Sequence, residues 1–186
     1  RDTNKEEVLS HLQHKTLRSL MNVERPRSGD VFHIPAGRVH GLGPGVTLCE
    51  IQQASDLTYR LYDWDRMDNE GKPRALHIEQ ALQVTDYKAR ASYQTEYKVL
   101  SNGSAPILQS DHFTVNMLVF DHKLETDFFF LDSFVVYVCV EGSCQLIHQG
   151  GSEHIKKGET VLVPAELKSV QLVPEGACRL LETYLA

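Results

Sequence analysis

The chain is predicted to be mainly β, a barrel or a sandwich, with a short helix at its N-terminus. Three observations predict this. Apolar residues change from helical spacing to a period of two at residue 28. Glycine and proline then punctuate short runs almost to the end of the chain. A short pattern also occurs twice, GDVFHIP at 29–35 and GETVLVP at 158–164, each followed by alanine. A repeat of this kind implies two copies of one structural unit. In the second copy Glu166 stands where the first has Gly37, and Ser169 where the first has His40.

The elements follow in order. Residues 3–22 read as a helix: Thr3-x-x-Glu6 fits a capping box, and Val8, Leu9, Leu12, Leu17, Leu20 and Met21 recur at helical spacing. His11 and His14 lie on it as surface residues. Strands are expected at 30–34, 46–52 and 57–63, then a loop at 64–75 and a short helix near 77–82. A strand near 94–99 and a loop at 101–106 come next. Further strands are expected at 113–120, 134–140, 144–148, 160–163, 170–173 and 178–184. The second repeat copy is preceded by strands, whereas the first is preceded by a helix. The chain also opens on Arg1 rather than Met. We therefore expect a piece of a longer protein, with 1–27 ending a helical insertion, 28–109 forming the back half of a first barrel, and 110–186 forming a complete second one.

Composition narrows the function classes. A chain of 186 residues can bury one large core or two small ones. A net charge of -6 argues against a nucleic-acid surface, and no polybasic patch suggests a membrane surface. No apolar run approaches the ~20 residues needed to span a bilayer. Cys49, Cys139, Cys144 and Cys178 form no CxxC pair, and those in apolar runs read as buried free thiols of a reducing cytoplasm. The expected partner is a small molecule, and nothing in the sequence specifies an oligomeric state.

The chemistry concentrates in 29–66. Pro35 fixes φ and Gly37 permits positive φ, so a stiff corner presents His40, a candidate metal ligand. In a hairpin of 46–52 and 57–63, Glu50 and Arg60 would oppose each other across strands. A carboxylate, a guanidinium and an imidazole facing one cavity suit an anionic substrate. The alternative is a plain cross-strand ion pair in a barrel wall. His33 reads as a wall residue, His77 as structural, and Ser55-Asp56 as a turn or a brace for Arg60. His112, His122, His148 and His154 receive no role.

The run GDVFHIPAGRVH resembles the second conserved motif of the cupins, small metal-carrying jelly-roll barrels. IPAGRVH, EIQQASDLTYR, YDWDR and the following GKPRALHIEQAL resemble the type I phosphomannose isomerases (mannose-6-phosphate isomerases). The resemblance implies cupin barrels, the C-terminal one without metal, and one zinc ion serving mannose 6-phosphate and fructose 6-phosphate interconversion. It implies that His40 is the last zinc ligand, that Arg60 is catalytic, that Glu50 lines the same cavity, and that Arg66 lies near the substrate. The family's Gln-x-His and Glu ligands have no counterpart in this chain. A non-catalytic cupin module that has lost its metal site is the alternative; an iron cupin oxygenase fits less well, because it gives no reason for EIQQASDLTYR.

Overall fold

The computed structural model describes residues 1–55 and 57–186. It is mainly β, with two compact units. One comprises Arg1–Leu48 and Ala54–Gln94; the other comprises Cys49–Gln53 and Thr95–Ala186.

The second unit holds nine strands: β1 (Gly103–Gln109), β2 (Phe113–Phe120), β3 (Leu124–Asp127), β4 (Val135–Glu141), β5 (Ser143–His148), β6 (Gly151–Lys156), β7 (Thr160–Val163), β8 (Ser169–Pro174) and β9 (Cys178–Leu185). They form a five-stranded sheet in the order β1-β2-β9-β4-β7 and a four-stranded sheet in the order β3-β8-β5-β6. Every ladder is antiparallel. Alternation decides which side chains go inward. Val135, Tyr137 and Cys139 of β4 join Cys178 and Leu180 of β9 on one side of the core. Cys144 and Leu146 of β5, with Val170 and Leu172 of β8, come from the other sheet. Each fully buried leucine contributes roughly 1.5–3 kcal/mol, so this double layer supplies most of the unit's stability.

One charged group enters this core. Glu182 of β9 is 7% exposed, and its two oxygens accept from Asn116 Nδ2 at 2.9 Å and from the Tyr137 hydroxyl at 2.7 Å. Burial, with the carboxylate beside it, raises the Tyr137 phenol well above its usual range, so it stays protonated and donating.

Strands β3 and β6 were not among those expected, because neither presents a continuous apolar alternation; β3 has no fully buried residue and β6 buries only Ile155. Residues 101–106 are not all loop, since β1 begins at Gly103. Pro106 sits at a register shift on the sheet edge, where a missing N–H costs little. The expected strand at 94–99 does not form. Cys139, Cys144 and Cys178 are buried free thiols, but Cys49 is exposed.

In the first unit α1 covers Lys5–Gln13 and α2 covers Ile78–Val84. The long helix expected over 3–22 stops early. Asn4, not Thr3, is the N-cap, accepting from Glu7 N at 2.8 Å. At the other end Lys15 lies at φ 56, with Lys15 N bonded to Leu12 O and Thr16 N to His11 O. These two bonds make a Schellman stop. A 3-10 turn, Leu17–Leu20, follows. Val8, Leu17, Leu61, Ala81 and Leu82 form the unit's small core, with Val39, Tyr62 and Tyr87 packed on it.

The runs 30–34, 46–52 and 57–63 form no strands, although all three have the right pattern. A strand exists only where a neighbour accepts its ladder, and none of these runs is paired in a ladder among the described residues. The corner itself does form. Gly29 is at φ 93 and Gly158 at φ 89. Asp30 N bonds Arg27 O as Glu159 N bonds Lys156 O, and Arg38 N bonds Pro35 O as Leu167 N bonds Pro164 O. Both repeat copies thus share two turns.

Replacing Tyr137 by Phe leaves one oxygen of a buried carboxylate without its donor. We expect a loss of about 1–3 kcal/mol, read from urea unfolding followed by tyrosine-independent circular dichroism.

Candidate functional site

The site candidates of the first unit hang on its small core. Leu61 is buried, so its neighbours Arg60 and Tyr62 are fixed at the edge of that core. The Arg60 main chain is tied to His77, which donates its N–H to Arg60 O at 2.8 Å and accepts from Arg60 N through Nδ1 at 3.3 Å. His77 thereby acts as a clip and caps α2 in sequence position only, without a side-chain cap bond.

Asp63 gathers the charge. Arg66 donates to its Oδ1 through Nε at 3.2 Å and through Nη2 at 2.6 Å. Arg74 Nε lies 3.6 Å from Oδ2, and Arg60 Nε 4.0 Å from Oδ1. The Arg60 Nη1 donates to Ala75 O at 3.0 Å. The Asp63 side chain is only 10% exposed, and its Oδ2 has no hydrogen bond. The bond from Arg66 comes first, followed by the charges of Arg66, Arg74 and Arg60; together they hold the carboxyl below its ordinary 3.8 despite burial.

Two backbone features build this cluster. Trp64 and Asp65 lie at φ 56 and φ 53, and Arg66 N closes the turn onto Asp63 O at 3.0 Å. Side chains larger than glycine seldom occupy that conformation, least of all tryptophan, and such strain concentrates where a site needs it. Then Asp68 organises the return. Its Oδ1 accepts from Glu70 N and Lys72 N at 2.9 Å, its N–H bonds Lys72 O, and Met67 bridges to Pro73. The loop expected at 64–75 is therefore a closed reversal that brings Arg74 back beside Arg66.

His40 stands on the corner. Gly37 is at φ 84, and a Cβ there would sit 2.3 Å from Val84 O, so only glycine fits. His40 is exposed, with Nδ1 at 3.0 Å from Arg38 O. A proton on Nδ1 donated to that carbonyl leaves Nε2 its lone pair, the tautomer a metal-binding imidazole needs. Yet no group of three or more His, Cys, Asp or Glu that could hold a metal ion occurs among the described residues. Tetrahedral zinc takes three or four protein ligands, so these residues alone do not fit it.

Of the four candidates, Arg60 and Arg66 are brought together, through Asp63. His40 is not part of that array. Glu50 is exposed, and the hairpin that would have set it against Arg60 does not form; the two fall in different compact units. His33 is exposed too, rather than part of a wall, and its carbonyl accepts from Arg38 Nη1. The Ser55-Asp56 pair lies partly outside the described residues. Asp63 and Arg74 were missed; the signal was the Asp/Arg alternation DWDR followed eight residues later by Arg74. A groove of about 600 Å³ between α1 and α2, lined by Leu9, Ile78 and Leu82 among others, holds none of these residues.

Residues 104–185 match the family described as mannose-6-phosphate isomerase, cupin domain. ManA of Bacillus subtilis (strain 168), a mannose-6-phosphate isomerase, is 29% identical over 180 residues, 95% of this chain and 56% of that protein. Over nearly its whole length the chain is similar to proteins named as mannose-6-phosphate isomerases. The enzyme of the same name from Streptococcus mutans serotype c is 40% identical over 87 residues, 47% of this chain and 28% of that protein. The crystal structure of the mannose 6-phosphate isomerase from Bacillus subtilis superposes with a TM-score of 0.57 at 26% identity, covering 69% of this chain and 40% of that one. The chain spans about half the length of the Bacillus relatives it matches. No helix among the described residues is long and apolar enough to cross a membrane.

Because the folded Asp63 carboxyl titrates below 3.8, its ion pairs are complete above that pH and are lost as pH falls through the lowered value. Urea unfolding between pH 5 and 2.5 is expected to show the wild type losing stability more steeply below 3.8 than Asp63→Asn. Parallel curves would remove Asp63 from the acid response.

Proposed function

We propose that the protein containing these residues is an aldose–ketose isomerase that interconverts mannose 6-phosphate and fructose 6-phosphate in the cytoplasm. The observation that carries this reading is the correspondence of nearly the whole chain to proteins named for that reaction. The site geometry agrees in kind, since a sugar phosphate is an anion and Arg60 and Arg66 sit in one positive array.

The chemistry moves a proton between C1 and C2 of the sugar through an enediolate. Arg60, one-fifth exposed and braced by Ala75 O, is suited to stabilise the oxyanion that develops. Arg66, more open, is suited to hold the substrate. Glu50 and the proton-carrying base belong to the same proposal, as does zinc dependence with His40 as a ligand. Zinc would polarise the sugar oxygens when bound, and it requires ligands beyond the described residues.

The test is turnover of mannose 6-phosphate by the full open reading frame, followed by coupled assay of fructose 6-phosphate. We expect activity that chelation abolishes and zinc restores. Arg60→Ala is expected to lower kcat by about 10²–10³, the usual effect of losing an oxyanion donor. No turnover by the zinc-loaded protein would favour a cupin module without catalysis.

A further inference from the structure

We propose that Asp63 is a positioning residue that holds Arg66 and Arg74 as a cradle for a phosphate dianion, with Arg60 beside them left to the oxyanion, and that Arg74 is a substrate-binding residue of this cradle. The proposal rests on the sugar-phosphate reading above and adds to it the residues that would grip the phosphoryl group.

Charge accounting is the first support. Three guanidiniums surround one carboxylate, at 2.6, 3.6 and 4.0 Å. One negative charge against three positive leaves an excess of two. Like charges gathered this closely repel, and a surface would normally spread them or add carboxylates. A phosphate monoester carries about -1.5 to -2 near neutral pH, which matches the excess.

The second support is which donors are already committed. Arg66 uses Nε and Nη2 on Asp63, and Arg60 uses Nη1 on Ala75 O. Arg74 makes no hydrogen bond to Asp63; at 3.6 Å it is held near by charge alone. Its side chain is 43% exposed and that of Arg66 is 60% exposed, so both present donors to solvent. Guanidinium forks of this kind bind phosphate through paired N–H groups.

The third support is the cost of the arrangement. Asp63 Oδ2 is buried with no hydrogen-bond donor, and the adjoining turn keeps a tryptophan and an aspartate at positive φ. A carboxylate that only anchored a loop would have no need to be left half-satisfied. The bare Oδ2 beside Arg74 keeps that guanidinium oriented by charge without consuming its donors.

The experiment titrates inorganic phosphate into the full-length protein by calorimetry, for wild type, Arg74→Gln, Arg74→Lys and Asp63→Asn, with thermal melts on each. Arg74→Gln is expected to weaken phosphate about tenfold or more, the usual value of a charge-assisted bond. Arg74→Lys should fall between the two, because it keeps charge and loses the fork. Asp63→Asn should weaken phosphate as well. In turnover by the full-length protein, Arg74→Gln should raise KM for mannose 6-phosphate more than it lowers kcat, a split that a merely structural role would not produce.

Unchanged phosphate affinity in a folded Arg74→Gln, or no phosphate binding by wild type, overturns the cradle. Full affinity in a folded Asp63→Asn overturns the positioning role alone; if that variant fails to fold, an unshifted KM in Arg74→Gln still overturns the proposal. Phosphate binding that needs Arg74 in a protein that turns over no mannose 6-phosphate sinks the isomerase reading and leaves the cradle standing.

Discussion

A single buried carboxylate organises the polar half of the first unit. Asp63 sits next to the small hydrophobic core, one residue from Tyr62, and its position is set by apolar packing rather than by its own charge. Three arginines from three places in the chain then converge on it. An anion at the rim of a core is costly unless paired, so the cations are bound to come. Their number exceeds what neutrality requires, and this surplus gives the surface its chemical character.

The two units use one corner differently. In the second unit the Gly158 turn feeds β7, which pairs with β4 and joins a nine-strand fold. In the first, the Gly29 turn has the same closing bonds but leads into a run with no ladder. The turns are local: a glycine at positive φ and an i to i+3 bond suffice. The strand is not local, since it needs a neighbour. The same seven-residue pattern can therefore be folded at its corners and irregular between them.

This difference also explains what could be read from the sequence. The barrel of 103–185 was largely legible because alternation, turns and pairing partners all lie within one stretch; the polar strands β3 and β6 escaped, as did β1, part of which lies in the expected loop. The helix stop at Lys15 was invisible because a lysine stands where a glycine would have announced it. Arg60 and Arg66 were singled out through a resemblance in their flanking residues, and the structure brings both side chains to one carboxylate. The partner of Arg60 was expected across a hairpin, at Glu50, but it lies three residues on in its own segment, at Asp63. Patterns of period two predict faces, and a tight turn at positive φ breaks the period, so Asp63 could not be found that way.

Lys15, which ends α1 in a left-handed conformation, also reaches Asp65 with its ammonium at 3.0 Å. Two tense bends far apart in the chain thus lean on each other through one exposed contact. Both side chains are more than half in water, so dissolved ions weaken their attraction readily. The arginine-bearing bend is consequently held from outside by a thread that brine slackens, while its inner grip on the buried carboxylate stays taut.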